Sequence, residues 1–345
     1  MNEARLNAPI FLMCSERSGS NLLSRMFAAH PHICGPGAAH LFRVFSEVAA
    51  HYGEDELPAL RRDMLDMFEA KFGLWQIDAW PRARREAVLQ TQKSAAGMVA
   101  ALYEAERRSA GRDRIFVKEC SIHGFLPFLE SVSDAPAYVF MVRDPRDMAL
   151  SWLRADALRG GVVRAARQWM ADQTSFVNSL AWLKGRRRLA VLTYEALLAD
   201  PERVLAATCA RLGMGFDPAM LDFSANARAE AARAHMLRNI GRPLMCDNHG
   251  QYRQGLDAEQ IAYVEAVCAP LMAMFGYVPD LKADDLAGHD GFAALEAAVL
   301  ARDPWDKPQY LALPSAERQR YENWSRLRDE LRRRPITRLA MAWDT

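Results

Sequence analysis

Long apolar runs, an excess of one charge and paired cysteines are all missing from this sequence. No window reaches the roughly 18 apolar residues of a membrane-spanning helix, so no span is expected. Lysine and arginine number 44 against 43 acidic residues, a net charge of +1. That balance supplies no global field for nucleic acid or an anionic membrane, so any anion site must come from local placement. The six cysteines (Cys14, Cys34, Cys120, Cys209, Cys246 and Cys268) are scattered without C-x-x-C spacing. This argues against a disulfide framework, and several lie in apolar settings where cysteine is a small core residue. No signal-like stretch precedes the first apolar run, and a reduced cytoplasm is the expected location. Repeats and low-complexity segments are also missing. The 345 residues are 50% hydrophobic and 25% charged, ordinary for a globular chain with a substantial core.

What is present is organised around Ile10 to His30. An apolar run, Ile10-Phe11-Leu12-Met13-Cys14, reads as a buried strand. A polar turn, Ser15-Glu16-Arg17-Ser18-Gly19-Ser20, precedes helical spacing of Leu22, Leu23, Met26 and Phe27. The first N–H groups of a helix lack intrahelical partners and carry the positive end of its dipole, so this turn is a candidate anion cradle. It is not a nucleoside-triphosphate P-loop. That motif needs G-x-x-x-x-G-K-[ST], whereas here there is one glycine and Asn21 follows Ser20.

Further strands are expected at Ile115–Val117, Ala137–Val142 and Leu189–Thr193. Helices are expected over Leu57–Phe72, Arg82–Arg108 and Ile122–Val132, from Pro145, from Glu195 with an interruption at Asp200-Pro201 before resuming to Leu212, and over Asp257–Phe275. Strands alternating with helices predict an α/β fold in three layers, a parallel sheet flanked by helices. A main domain over residues 1–280 and a helical C-terminal extension over 281–345 are the expected organisation. Arg332-Arg333-Arg334 near its end reads as a solvated helix terminus. Ligands in such sheets bind beyond the carboxyl ends of strands, and there the polar turn, Lys118 and Arg143 converge.

The second motif is Arg143-Asp144-Pro145-Arg146-Asp147-Met148-Ala149-Leu150-Ser151. An arginine at a strand end and a hydroxyl two turns along the next helix can together hold a phosphate. With the first turn, this pattern resembles the sulfotransferases that use 3′-phosphoadenosine-5′-phosphosulfate. The resemblance covers roughly residues 9 to 278 and includes Leu192-Thr193-Tyr194-Glu195-Ala196-Leu197, Asp200-Pro201, Leu212-Gly213 and a worn late loop, Gly250 to Gly255. It implies a P-loop-like nucleotide-binding core and metal-independent transfer of a sulfuryl group to a hydroxyl or amine. The product would be 3′-phosphoadenosine-5′-phosphate, and the acceptor a small molecule or a carrier-tethered intermediate. It implies that Ser15, Arg17, Ser18, Gly19, Ser20 and Asn21 cradle the 5′ end, and that Arg143 and Ser151 grip the 3′-phosphate. Tyr194 would lie near the adenine and Arg253 would close over the 3′-phosphate. Arg17 and Lys118 are the cations expected to face the transferring group. A homo-oligomer is compatible with the sequence. A P-loop-like kinase or nucleotide hydrolase, and a non-catalytic nucleotide-binding protein, are the competing readings.

The base departs from the family pattern. One branch places a histidine two residues after the second-strand lysine, where this chain has Cys120. Another uses a glutamate beyond the first helix, where this chain reads Gly35-Pro36-Gly37-Ala38-Ala39-His40. His40 is the nearest ionisable residue to that position and becomes the first candidate, with an ordinary pKa of about 6.5 suited to the task. His123 is second, ahead of Glu119 and Glu16. His30 is expected to end the first helix.

Overall fold

The computed structural model describes residues 3–232, 234–281, 292–300 and 307–336. Its strands are β1 (Leu6–Asn7), β2 (Ile10–Cys14), β3 (Ile33–Cys34), β4 (Arg114–Lys118), β5 (Ser133–Asp134), β6 (Ala137–Val142) and β7 (Arg188–Thr193). Five of them form a sheet in the order β3-β4-β2-β6-β7, all neighbours parallel. The remaining two, β1 and β5, pair with each other. The sheet grows first to one side of β2, through β3 and β4, and then to the other, through β6 and β7. β2 is therefore the point where strand order reverses, and the crevice beyond its carboxyl end is where such sheets bind ligands.

Alternation along β2 makes the three layers. Ile10, Leu12 and Cys14 point to one face and pack with Leu23, Met26 and Phe27 of the helix Ser20–Ala29. Phe11 and Met13 point to the other, into a larger core holding Phe42, Tyr103, Phe140, Trp169 and Phe176. A strand buried on both faces needs apolar residues at successive positions, which is why these runs are legible in sequence. Each such side chain contributes about 1.5–3 kcal/mol on burial. Five of the cysteines are buried free thiols and Cys246 is exposed. Among the described residues no helix is long and apolar enough to cross a membrane.

Two helical expectations need correction. The periodicity over Arg82–Arg108 predicts one long helix, but the chain forms Arg82–Leu89 and then Ala95–Ser109. Ser94 ends the break by accepting the Gly97 N–H, a side-chain cap that competes with continuing the helix. Ile122–Val132 is a 3-10 turn at Ile122–Phe125 followed by a short helix, Leu126–Glu130, with Pro127 in its first turn. The stretch between β6 and β7 holds a 23-residue helix, Gly161–Leu183. Near the C-terminus, the helix Ser315–Arg332 lies against the helices Leu41–Val48 and Leu57–Ala70, with Trp324 and Leu327 packed on the main core. Arg332 pairs with Glu47 and Arg334 with Asp63 at the surface. Residues 282–291, 301–306 and 337–345 of the expected extension lie outside the described residues.

Candidate functional site

The strand, turn and helix form as the sequence predicts: β2 ends at Cys14, the turn follows, and the helix starts at Ser20. Gly19 adopts φ +92°, and a Cβ there would stand 2.3 Å from the Tyr194 ring. Only glycine satisfies both the left-handed backbone and the close ring. Arg17 is also left-handed, at φ +65°, a conformation that costs a non-glycine residue on the order of 1–3 kcal/mol and tends to be retained at ligand sites. The turn is braced on all sides. Ser18 donates to the Ser15 carbonyl at 2.6 Å, Gln173 Nε2 donates to Ser15 Oγ at 3.0 Å, and Arg143 donates to the Arg17 carbonyl at 3.2 Å. No side chain caps the helix that follows, so its first N–H groups are left for an anion.

The second motif meets the first. Arg17 Nε donates to Ser151 Oγ at 3.0 Å, joining the two anion motifs. Arg143, 6% exposed, also donates to the Asn248 carbonyl at 3.2 Å, and its Nε is buried with no partner. Its guanidinium lies 4.4 Å over the Tyr194 ring, a cation–π contact. Asn248 Nδ2 in turn donates to the Tyr194 hydroxyl at 2.9 Å. Asp147 accepts the N–H groups of Gly250 and Tyr252, so the late loop is tied to the second motif through its backbone. Arg253 itself is exposed and paired with Asp280 at 2.7 Å.

At the end of β4, Lys118 is 8% exposed. Among the described residues no carboxylate comes within ion-pair distance of Lys118, Arg17 or Arg143. Burial lowers the Arg17 pKa, and the neighbouring Arg143 guanidinium lowers it further. Arg17 and Arg143, adjacent and with no carboxylate in ion-pair contact, make a local positive field that Glu16 and Asp156 only partly offset, the feature that the balanced net charge could not supply.

His40 stands beside Lys118. Burial, then the positive charges of Lys118 and Arg43, hold its imidazole well below its ordinary pKa. The loop carrying it is pinned. Gly37 N–H donates to the Leu74 carbonyl and Gly73 N–H to the Ala38 carbonyl, a close backbone approach with no room for a Cβ on Gly37 or Gly73. Glu119 then fixes the helix that His40 begins: its carboxylate accepts the N–H of Phe42 at 3.0 Å and of Arg43 at 2.7 Å, and the Tyr103 hydroxyl at 3.1 Å. Burial pushes the Glu119 carboxyl up to about 7 against those bonds. Glu16 pairs with Arg43 at 3.1 Å. Cys120 is buried next to Cys14. His123 is buried elsewhere on this edge: its Nε2 lies 3.1 Å from Asp172 Oδ1, which also accepts from Ser121 and Gln168. His30 ends the first helix, its N–H bonded to the Phe27 carbonyl.

A central β2 crossover, a strand–turn–helix anion cradle and an arginine–serine motif locked onto it agree with a match to the sulfotransferase family model over residues 9–218. The chain belongs to the sulfotransferase family. Among curated proteins it is similar to the nodulation protein NoeE of Sinorhizobium fredii (strain NBRC 101917 / NGR234), 24% identical over 296 residues. The alignment covers 79% of this chain and 66% of the relative, so the chain spans just under two thirds of that protein. Two solved structures share the fold. The sulfotransferase domain from the Synechococcus PCC 7002 olefin synthase superposes with a TM-score of 0.55 at 23% identity, over 77% of this chain and 96% of that one. The sulfotransferase domain from the curacin biosynthetic pathway gives 0.52 at 18% identity, over 78% and 98%.

Several residues that shape the site carry no local sequence signal. Gln173 reaches the turn from a distant helix, and Asn248 reaches Arg143 and Tyr194 from a distant loop. Their roles are invisible in sequence because a lone amide has no motif. Asp147 was legible only as part of the second motif, not as the anchor of the late loop. Glu119 reads as a base candidate in sequence, yet all its bonds hold protein groups.

Proposed function

We propose that this sulfotransferase moves the sulfuryl group of 3′-phosphoadenosine-5′-phosphosulfate to a hydroxyl or amine on a small-molecule or carrier-tethered acceptor. The observation that carries this reading is the joining of Arg17 to Ser151 and of Arg143 to the Arg17 carbonyl, two cations without ion-pair partners among the described residues, beside an uncapped helix N-terminus, with Lys118 at the end of the neighbouring strand. The unpartnered, buried Nε of Arg143 is the kind of donor a second phosphate would satisfy. The donor, when bound, supplies an activated sulfuryl group on a good phosphate leaving group. The turn Ser15, Arg17, Ser18, Gly19, Ser20 and Asn21 holds its 5′ end with backbone and side-chain donors. Arg143 and Ser151 hold the 3′-phosphate, and Tyr194, already stacked under Arg143, flanks the base.

Arg17 and Lys118 stabilise negative charge where it develops during transfer, and among the described residues neither is held in an ion pair with an acid. His40 takes the proton of the acceptor. Its depressed pKa keeps it neutral, and so competent as a base, at physiological pH. His123 serves less well, because Asp172 already engages its Nε2. Arg253 closes the late loop over the 3′-phosphate by exchanging Asp280 for that anion.

The test is incubation of the protein with radiolabelled donor and fractionated cell extract, with mass spectrometry for an added sulfuryl group. His40→Ala should cut single-turnover transfer at least about a hundredfold, within the range a general base supplies, and leave donor affinity nearly unchanged. Magnesium-dependent ATP turnover without sulfuryl transfer would overturn the reading. A fall of less than about tenfold in His40→Ala would remove His40 as the base.

A further inference from the structure

The helix Ser315–Arg332 lies beyond the segment matched to the family, yet it closes on this site. Its inward residues include Tyr321, Trp324, Leu327, Arg328 and Leu331, spaced along one face of a 3.6-residue helix. Glu317 accepts the His235 N–H at 2.8 Å. The Tyr321 ring lies 4.6 Å from Phe72, and its phenol is in electrostatic reach of Asp156 and Arg17. Trp324 meets the His40 ring edge to face, with centroids 6.1 Å apart and planes at 70°. Arg328 lies 5.0 Å over the Trp324 ring, and Leu331 is buried. The far end of the helix is tied down by Arg332 and Glu47.

We propose that this C-terminal helix is a wall of the active site and that Trp324 is a positioning residue for His40. His40 has little else to hold its ring. Its Nδ1 is buried without a partner, and its backbone is left-handed at φ +57°. The charged groups that face it are Lys118 from β4 and Arg43 from its own helix. Arg328 lies on the Trp324 ring, and Glu119 holds the N-terminus of the His40 helix. None of these covers the imidazole as the indole does. Trp324 thus withholds water from His40 and fixes the ring plane, while Lys118 and Arg43 oppose its protonation. The consequence for turnover rests on His40 being the base; the contact and its effect on the imidazole do not.

The experiment is the NMR titration of the His40 ring in the full chain, assigned by its loss in His40→Ala. Trp324→Ala admits water and should raise the His40 midpoint by at least about half a unit toward 6.5. Trp324→Phe, which keeps an aromatic edge, should restore most of the wild-type value. Binding of 3′-phosphoadenosine-5′-phosphate should stay at wild-type strength in both, since neither touches Arg143 or Ser151. Should Trp324→Ala fail to fold, Trp324→Leu is read in its place. An unchanged His40 midpoint in the folded variant overturns the proposal. Undiminished turnover in His40→Ala instead overturns the base assignment and leaves the titration result standing.

Discussion

Arg143→Ala should separate two nucleotides, 3′-phosphoadenosine-5′-phosphate and adenosine-5′-phosphosulfate, of which only the first carries a 3′-phosphate. Arg143 is 6% exposed, so its charge is poorly screened by water. Two of its donors are spent on the carbonyls of Arg17 and Asn248 at 3.2 Å each, and Nε is unspent. A hydrogen bond to a charged group contributes about 1.5–3 kcal/mol. A phosphate about 4 Å away would add Coulomb attraction of on the order of a few kcal/mol at an effective dielectric near 20, before desolvation is subtracted. A net loss near 3 kcal/mol corresponds to roughly a hundredfold weaker binding of the 3′-phosphorylated nucleotide.

The second nucleotide is affected only indirectly, because removing Arg143 frees the Arg17 carbonyl and loosens the cradle. One such bond is worth about 0.5–1.5 kcal/mol, so its loss should stay within about tenfold. Isothermal titration of both ligands against wild type and Arg143→Ala measures the ratio, and Arg143→Lys should fall between, keeping charge but losing the planar fork. Equal losses for the two nucleotides would refute a 3′-phosphate role and leave Arg143 as a brace for the turn.

The pH dependence follows from the buried imidazole and carboxyl. Turnover should rise with pH as His40 loses its proton, with a midpoint below 6.5 and a plateau by about pH 7; a midpoint above that range would exclude His40. Because the folded His40 pKa is depressed, the unfolded chain binds the proton first as pH falls. The stability held at this site is therefore present above about 6.5 and lost below it, and denaturant unfolding should show a shallower acid loss in His40→Ala. Glu119 acts in the opposite sense: its folded value of about 7 lies above the unfolded one, so stability falls as pH rises from about 4.5 toward 7. Gly19→Ala combines a left-handed backbone with a Cβ 2.3 Å from Tyr194. It should destabilise the fold by about 1–3 kcal/mol and weaken nucleotide binding, and wild-type melting and affinity would refute the assignment of that turn.

Strands β2, β4 and β6 were legible because a strand buried on both faces needs an unbroken apolar run, and such runs are rare enough to mark themselves. The edge strand β7 was legible from its apolar run although only one face is buried and Val191 is exposed. The two-residue β1, β3 and β5 were not, since they are too short for any periodicity. The split at Ser94 was missed because the apolar spacing continues in phase across it, and the cap that breaks it is a single hydroxyl. The anion motifs were readable because each is local: a turn that needs Gly19, and Arg143 two helical turns before Ser151.

What the sequence by itself determined was the local form of those two motifs, because backbone conformation and short spacing are properties of neighbours in the chain. Only the tertiary structure decided that Arg17 bonds Ser151, that Gln173 braces the turn and Asn248 bonds Arg143 and Tyr194, and that Glu119 holds protein N–H groups. It alone brought Trp324 from the far end of the chain onto His40. Those contacts join residues far apart in sequence, and their positions are set by packing around the sheet, which no local pattern encodes.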